Sequence, residues 1–282
     1  MQVLSQKLLP RYGLTRLFGK LGECKINWFK NFFINRFIKL YKIDLAEAEI
    51  SDYKEFKSFN EFFSRRLKPS ARVVDPAATS ITAPVDGFIY DFGTMPESMP
   101  DKPMFSAKGF EFSLNDLVVK KTTADLVGSG TFICMYLSPK DYHRVHMPVT
   151  GRLIEMLYVP GDYYSVSPKV LKSIPKIFAK NERIICTFDT EQGPMVYLMI
   201  GAMNVSSIHT VWAGAINASR QGKVIQTCYR NEEIILKKGE ELGHFQMGST
   251  VIVLFAKDTA KLSENLRSGQ HCLYGEKIGT VK

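Results

Sequence analysis

The spacing of apolar residues divides the chain into a helical part and a strand-rich part. Near the N-terminus, apolar residues recur at intervals of three and four, at Leu14, Leu17, Phe18 and Leu21. This spacing is typical of one face of a helix. A second, strongly aromatic segment follows, with Trp28, Phe29, Phe32, Phe33, Phe37 and Tyr41. Together the two segments predict a pair of amphipathic helices.

The pattern stays helical and more polar over residues 44–68, where Phe56, Phe59, Phe62 and Phe63 are the apolar positions. Pro69 and the Asp75-Pro76 pair then interrupt it. We therefore assign residues 1–68 to a helical N-terminal region.

Beyond Ile81 the pattern changes to short apolar runs bounded by Gly, Pro and Asp, which indicates strands. The sequence at 189–194 (Asp-Thr-Glu-Gln-Gly-Pro) predicts a hairpin loop between two of them. Few helices separate the runs, so the fold class is α+β, with a mainly antiparallel β-sandwich or barrel-like body over residues 69–282. The predicted strands are 132–137, 152–159, 183–189, 195–202, 224–228 and 250–256.

Composition agrees with a globular protein, since 45% of the 282 residues are hydrophobic and 23% are charged. No run approaches the roughly 18 apolar residues of a membrane-spanning helix, and a cleavable signal peptide is not expected. The five cysteines are far apart and form no Cys-x-x-Cys pair. They are typical of reduced thiols in a cytosolic compartment.

The N-terminal region also carries most of the net positive charge of the chain. The chain carries a formal net charge of +9, and its first 43 residues contain nine basic side chains against one acid, Glu23. Basic amphipathic helices with aromatic faces favour an anionic membrane surface as partner. The same helices could instead pack on the body with a solvated basic face. Nucleic acid is not expected as a partner, because the aromatic residues follow helical spacing.

Candidate chemistry concentrates in three short segments. Asp86 lies in a Pro-Val-Asp-Gly turn, and two of the five histidines, His143 and His146, lie within residues 138–148. Ser249 follows a glycine and precedes an apolar run. The histidines lack the companion ligands of a zinc site, so no metal is expected.

Asp86, His146 and Ser249 are the residue types of a nucleophilic triad. The Gly-x-Ser-x-Gly elbow of α/β-hydrolases is absent, because Met247 and Val251 occupy the two glycine positions. A hydrolase of that fold is therefore not predicted.

Further motifs accompany these residues along nearly the whole chain. With them, the sequence resembles the bacterial pyruvoyl-dependent phosphatidylserine decarboxylase family. It departs from the family pattern by Met247 ahead of Gly-Ser-Thr and by Val85 ahead of Asp-Gly. The motifs are Phe-Asn-Glu-Phe-Phe at 59–63, Arg-Leu-Lys-Pro at 66–69, Val-Asp-Gly at 85–87, the block 136–148, Tyr-Val-Pro-Gly-Asp at 158–162, Phe-Ala-Lys-Asn-Glu-Arg at 178–183, Val-Trp-Ala-Gly at 211–214 and Gly-Ser-Thr at 248–250.

The resemblance implies that the protein first cleaves itself. Ser249 Oγ would attack the carbonyl of Gly248, with His146 as general base and Asp86 completing the charge relay. Elimination would then convert Ser249 into a covalent pyruvoyl group, so that pyruvate is the cofactor. The implied products are a large chain, 1–248, and a small chain, 249–282, which remain associated as a heterodimer. The resemblance leaves open whether these heterodimers assemble into a higher oligomer.

The resemblance also implies the second reaction, decarboxylation of phosphatidylserine to phosphatidylethanolamine and CO2. The pyruvoyl group at residue 249 would form a Schiff base with the substrate amine and accept the electrons that CO2 leaves behind. His143 is the implied proton donor to the resulting carbanion. The expected location is peripheral, on the cytoplasmic face of the inner membrane.

Three other functions compete with this one. A Ser-His-Asp hydrolase without self-processing would remain a single chain. A pyruvoyl decarboxylase of a soluble amino acid would have no use for the basic N-terminal helices. A membrane-binding module without activity would leave His143, His146 and Ser249 without a role.

Overall fold

The structure, a computed structural model, describes residues 19–95, 103–107, 110–171, 173–202, 207–216, 222–246 and 249–282. Most of the first predicted amphipathic helix, including Leu14, Leu17 and Phe18, lies outside these residues, although residues 19–22 are helical. Gly248, on one side of the expected cleavage point, also lies outside them.

The N-terminal region contains two helices, α1 (Asn27–Tyr41) and α2 (Phe59–Phe63). Helix α1 ends at Lys42, which adopts the left-handed conformation with φ 54°. The two helices and the loop between them enclose a small apolar cluster whose buried members are Ile34, Ile43, Phe56 and Phe62. None of the helices in the described ranges is long and apolar enough to cross a bilayer.

The helical prediction for residues 44–68 is wrong apart from α2. The segment between α1 and α2 is a series of turns. Asp44 Oδ1 accepts a hydrogen bond from the N–H of Ala46 at 2.8 Å, and Asp52 Oδ1 accepts one from Lys54 at 3.0 Å. Such side-chain to backbone bonds compete with the helical hydrogen bonds, so the acidic residues favour turns here.

The body is built on a nine-stranded sheet with the order β12-β7-β8-β9-β15-β5-β2-β17, in which β13 also pairs with β7. Every strand pair in it is antiparallel. Its strands are β2 (Gly87–Thr94), β5 (Thr131–Leu137), β7 (Gly151–Val159), β8 (Arg183–Thr190), β9 (Gly193–Ile200), β12 (Ile225–Cys228), β13 (Ile235–Leu236), β15 (Ser249–Phe255) and β17 (His271–Cys272).

Smaller elements surround this sheet. One three-stranded sheet consists of β1 (Ser80–Thr82), β18 (Lys277–Val281) and β16 (Ala260–Leu262). A four-stranded sheet consists of β11 (Gly214–Ile216), β10 (Ile208–Thr210), β14 (Glu241–Phe245) and β6 (Arg144–His146). The remaining elements are the hairpin β3 (Pro103–Ala107) and β4 (Phe110–Ser113), and the helices α3 (Leu114–Val118), α4 (Lys121–Val127), α5 (Pro168–Leu171) and α6 (Ile177–Lys180).

Strand β15 lies near the middle of the large sheet, between β9 and β5. All seven of its residues are buried, which explains why its sequence is a continuous apolar run without polar alternation. The predicted α+β fold with antiparallel, sandwich-like sheets is confirmed. The predicted hairpin at 189–194 is also present, since Asp189 pairs with Pro194 and Thr190 with Gly193.

Candidate active site

Ser249 is the first residue of β15 and pairs with Leu137, the last residue of β5. Its side chain is completely buried, and among the described residues its Oγ has no hydrogen-bond partner. A buried hydroxyl without a partner costs free energy, so it needs an explanation other than packing. A potential nucleophile therefore lies at the end of a central strand, beside the point where β5 leads into the loop that carries the histidines.

His143 lies in that loop and is completely buried. Its Nδ1 is 2.9 Å from the carbonyl oxygen of Asp141, and its ring centroid is 4.1 Å from that of Phe63. A carbonyl oxygen can only accept, so Nδ1 carries the proton and Nε2 holds a lone pair. Nε2 has no partner among the described residues. Burial, together with the charge of Arg65, lowers the pKa of His143 to about 3, which keeps the ring neutral.

His146, the last residue of β6, is also buried. Its Nδ1 is 2.9 Å from the carbonyl oxygen of Gly239, and its Nε2 is 3.2 Å from the hydroxyl of Tyr142. The same reasoning assigns the proton to Nδ1 and the lone pair to Nε2, to which Tyr142 donates. The ring stacks on Tyr274 at 3.8 Å between centroids. Burial lowers the pKa of His146, so the neutral form of a base is favoured.

Asp86 lies in the turn before β2 and is 3% exposed. Both of its carboxylate oxygens are 3.2 Å from Nε of Arg72, and Oδ1 also accepts a hydrogen bond from the N–H of Tyr274 at 2.8 Å. Arg72 in turn contacts Glu47 at 2.9 Å. In the described part of the chain, the partner of His146 Nδ1 is thus the Gly239 carbonyl, whereas Asp86 is linked to the ring through Tyr274.

Strand pairing brings Asp86 and Ser249 to the same end of neighbouring strands. Phe88 of β2 pairs with Tyr136 of β5, which pairs with Thr250 of β15. Asp86 and Ser249 therefore flank the same end of three adjacent strands, with their backbones roughly 10 Å apart at the usual strand spacing. The N–H of His146 donates to the carbonyl of Pro84 at 2.8 Å, which attaches β6 beside Asp86. Asp86 and Ser249 thus lie at the same end of neighbouring strands, with His146 beside Asp86 and His143 in the loop after β5, and their roles stay predictions.

Comparison with known proteins identifies the family of the chain. Residues 59–280 match the family model for phosphatidylserine decarboxylase, and residues 1–42 match a second model described as PSD. This chain belongs to the phosphatidylserine decarboxylase family. The resemblance seen in its motifs is confirmed.

Individual relatives cover almost the entire chain. The phosphatidylserine decarboxylase proenzyme of Vibrio vulnificus strain YJ016 is 44% identical over 274 residues, 96% of this chain and 95% of the relative. The corresponding proenzyme of Psychromonas ingrahamii is 40% identical over 277 residues, 98% of this chain and 96% of the relative. The corresponding proenzyme of Pseudomonas fluorescens is 41% identical over 282 residues, 98% of this chain and 96% of the relative.

Sequence reasoning missed several residues of the site. Arg65 donates from Nη2 to the carbonyls of Lys140 and Asp141 at 2.9 and 3.3 Å, and Arg72 and Tyr274 contact Asp86. No local signal separates Arg65 from its neighbour Arg66, because both follow the same aromatic motif. Among the described residues, no group of three His, Cys, Asp or Glu side chains could hold a metal ion.

Proposed function

We propose that this chain is a phosphatidylserine decarboxylase proenzyme that generates its own pyruvoyl group from Ser249. The observation that carries the proposal is the buried Ser249 Oγ, which lies at the start of a central strand and has no partner in the part of this family member that the structure describes. The site fits the group, because a pyruvoyl group made from Ser249 would occupy the same buried position and needs no separate binding pocket.

Self-cleavage begins at Ser249 Oγ, which attacks the carbonyl carbon of Gly248 and transfers the acyl group from nitrogen to oxygen. His146 accepts the hydroxyl proton at Nε2, whose lone pair exchanges the hydrogen bond from Tyr142 for the Ser249 hydroxyl. The Gly239 carbonyl fixes that tautomer, and the carboxylate of Asp86 favours the imidazolium that forms. Elimination of the ester releases the carboxylate of Gly248, and hydrolysis by water of the imine that results at residue 249 releases ammonia and leaves the pyruvoyl group.

Decarboxylation uses the second histidine. When present, the pyruvoyl group supplies a ketone carbonyl that condenses with the substrate amine and accepts the electrons released with CO2. His143 donates the proton that the substrate carbon takes up after CO2 has left, and a proton released when the substrate ammonium group condenses keeps the overall reaction in balance. The Phe63 ring against His143 excludes water from this proton transfer.

The small chain stays bound after cleavage, which gives a heterodimer of the two products. Strand β15 pairs with β5 along one side and with β9 along the other, and every one of its residues is buried. Strands β16 and β18 of the same segment pair with each other, and β18 also pairs with β1 of the large chain. Separating the chains would expose this apolar surface and break four ladders of hydrogen bonds, since β17 also pairs with β2 of the large chain.

The protein works on the membrane as a peripheral enzyme, on the cytoplasmic face of the inner membrane. Helix α1 exposes Trp28 and Leu40, each at 73%, together with Phe32 and Phe33. Basic side chains on the same helix, such as Arg36 and Lys39, are also exposed. Exposed aromatic residues beside basic ones are typical of helices that bind anionic lipid surfaces.

The test is CO2 release from phosphatidylserine in mixed vesicles, with and without a carbonyl reagent such as phenylhydrazine. We expect wild-type protein to release CO2 and to lose activity to the reagent, whereas Ser249→Ala is inactive. Ser263→Ala, a serine change elsewhere in the small chain, serves as the matched control and should behave like wild type. Activity that resists the reagent would contradict the pyruvoyl chemistry, and CO2 release from free L-serine alone would contradict the lipid substrate.

A further inference from the structure

Unpartnered buried polar atoms cluster around the loop after β5. Of the eleven such side-chain atoms in the described residues, five belong to four residues of this neighbourhood: Nε and Nη1 of Arg65, Oγ of Ser138, Nε2 of His143 and Oγ of Ser249. The Asp141 carbonyl connects two of them, since it lies 3.3 Å from Nη2 of Arg65 and 2.9 Å from Nδ1 of His143. Because buried polar groups normally find partners, such a cluster indicates a pocket that a polar ligand completes.

Arg65 differs from the other two arginines at the site. Arg72 is paired with Asp86 and Glu47, and Arg144 is paired with Glu241 at 2.6 Å. Arg65 is only 5% exposed and makes no salt bridge within the described ranges. In the described part of the chain, Nη2 is the guanidinium nitrogen of Arg65 that donates hydrogen bonds, and its acceptors are two backbone carbonyls.

The carboxylates nearest to Arg65 are already engaged. Asp86 accepts from Arg72 and from the N–H of Tyr274. Asp141 accepts from the N–H of Ser138 at 2.8 Å and lies 3.2 Å from Nε2 of His271. Arg65 is therefore a buried cation whose nitrogens Nε and Nη1 have no acceptor among the described residues. These two nitrogens can donate hydrogen bonds to an oxyanion of a bound ligand.

We propose that Arg65 is the substrate-positioning residue that binds the phosphodiester of the lipid headgroup through Nε and Nη1. The inference rests on the proposed function. A phosphatidylserine headgroup carries two anions, the phosphodiester and the carboxylate. The carboxylate loses its charge as CO2 forms, so a guanidinium bound to it would stabilise the starting state more than the transition state. The phosphodiester keeps its charge throughout and can be held by the same contacts at every step.

The position of Arg65 agrees with this role. It follows helix α2 of the N-terminal region, and its guanidinium carbon lies 5.7 Å from the centroid of the Phe62 ring. The same segment carries Phe63, which contacts His143. A headgroup phosphate held here would bring the serine moiety toward His143 and residue 249.

The experiment uses Arg65→Gln and Arg65→Lys, with Arg66→Gln as the matched control, because Arg66 is the exposed neighbour in the same motif. Self-cleavage of each variant is first checked by intact mass, and its carbonyl group by phenylhydrazine labelling. These two readouts test the proposed function without substrate, so a failure there is distinguishable from a failure of the Arg65 assignment.

Inhibition by two fragments of the substrate then separates the two anions. Dihexanoyl phosphatidylethanolamine carries the phosphodiester without the carboxylate, and L-serine carries the carboxylate without the phosphodiester. We expect Arg65→Gln to raise the inhibition constant of the first roughly tenfold or more and to leave that of L-serine unchanged. Arg65→Lys should show a smaller loss, and Arg66→Gln none. A loss confined to L-serine, or no loss for either compound, would overturn the assignment.

A measurement on the wild-type protein keeps the proposal testable if the variants fail to fold. The methyl phosphotriester of dihexanoyl phosphatidylethanolamine retains the amine and the acyl chains but has no charge on phosphorus. We expect it to inhibit roughly tenfold or more weakly than the diester. Equal inhibition by the two compounds would show that no buried cation binds the negative charge of the phosphodiester.

Discussion

The β-rich body and the helical N-terminal region differ in how far they bury their apolar side chains. In the body, one continuous cluster buries the strands of the large sheet, and β15 has no exposed residue. In the N-terminal region, only four apolar residues form the buried cluster, while Trp28 and Leu40 are 73% exposed. Under the proposed function, this difference has a physical reason: the body shields the reacting groups from water, and α1 presents its exposed apolar side chains to a lipid surface.

The division is not complete, because α2 and the residues after it reach into the site of the body. Phe63 contacts His143, and Arg65 donates to the carbonyls of Lys140 and Asp141. The N-terminal region thus contributes side chains that contact the loop of His143. Under the proposed function, these contacts connect the membrane-binding region to the reacting groups.

The largest expected effect separates self-cleavage from membrane binding. His146→Ala removes the base, so the rate of precursor conversion should fall about 10³-fold or more, while binding to anionic vesicles remains that of wild type. The measurement is the time course of precursor loss on a denaturing gel. His244→Ala, a histidine of the neighbouring strand β14, is the matched control. Normal conversion in His146→Ala would contradict the role of this ring.

The second prediction distinguishes the two histidines within the body. His143→Gln should cleave itself at a rate close to that of wild type, because the proposed base for Ser249 is His146. Its kcat for CO2 release should fall about 10²-fold or more, since the proton carrier is lost. Equal losses of cleavage and decarboxylation would show that the two histidines act as one unit.

A smaller effect is expected from changing the exposed face of α1. The double variant Trp28→Ala/Phe32→Ala removes two aromatic side chains and should weaken binding to anionic vesicles about tenfold, without changing the rate of self-cleavage. Co-sedimentation with vesicles measures it. Ile225→Ala, an exposed apolar residue on edge strand β12, is the control and should bind like wild type. An unchanged affinity of the double variant would remove α1 from the membrane contact.

The smallest effect concerns stability and pH. Burial lowers the pKa of His143 to about 3 from its usual 6.5, so between these values the unfolded chain takes up a proton that the folded chain does not. The free energy of unfolding should therefore fall as the pH falls below 6.5. In uncleaved Ser249→Ala protein, adding His143→Gln should reduce this slope by up to about 1.4 kcal/mol per pH unit.

Urea unfolding at several pH values between 7 and 4 measures that slope. Identical slopes with and without His143 would mean that the ring takes up its proton in the folded state. The buried, neutral ring described here would then be contradicted.

Local patterns predicted six of the nine strands of the large sheet and singled out candidate site residues. The runs at 132–137 and 183–189 are strands because they are apolar enough to be buried in any arrangement. Asp86, His143, His146 and Ser249 could be singled out because their residue types carry chemistry and their neighbours permit tight turns. The turns after α1 were missed, because acidic residues at helical spacing also cap turns.

The contacts that tune the site could not be predicted, because they join residues distant in sequence. Asp86 contacts the backbone of Tyr274, 188 positions away, and His146 contacts the carbonyl of Gly239, 93 positions away. Nothing near Asp86 in the sequence indicates that its partner is Arg72. These contacts depend on which strands become neighbours in the sheet.

The most direct test of the account is the intact mass of freshly purified protein beside Ser249→Ala. The account predicts two species from wild type, residues 1–248 and residues 249–282, the latter with a pyruvoyl group at its N-terminus, and one uncut chain from the variant. A folded wild-type protein that remains one chain of 31.9 kDa would contradict the central claim that Ser249 becomes the catalytic group.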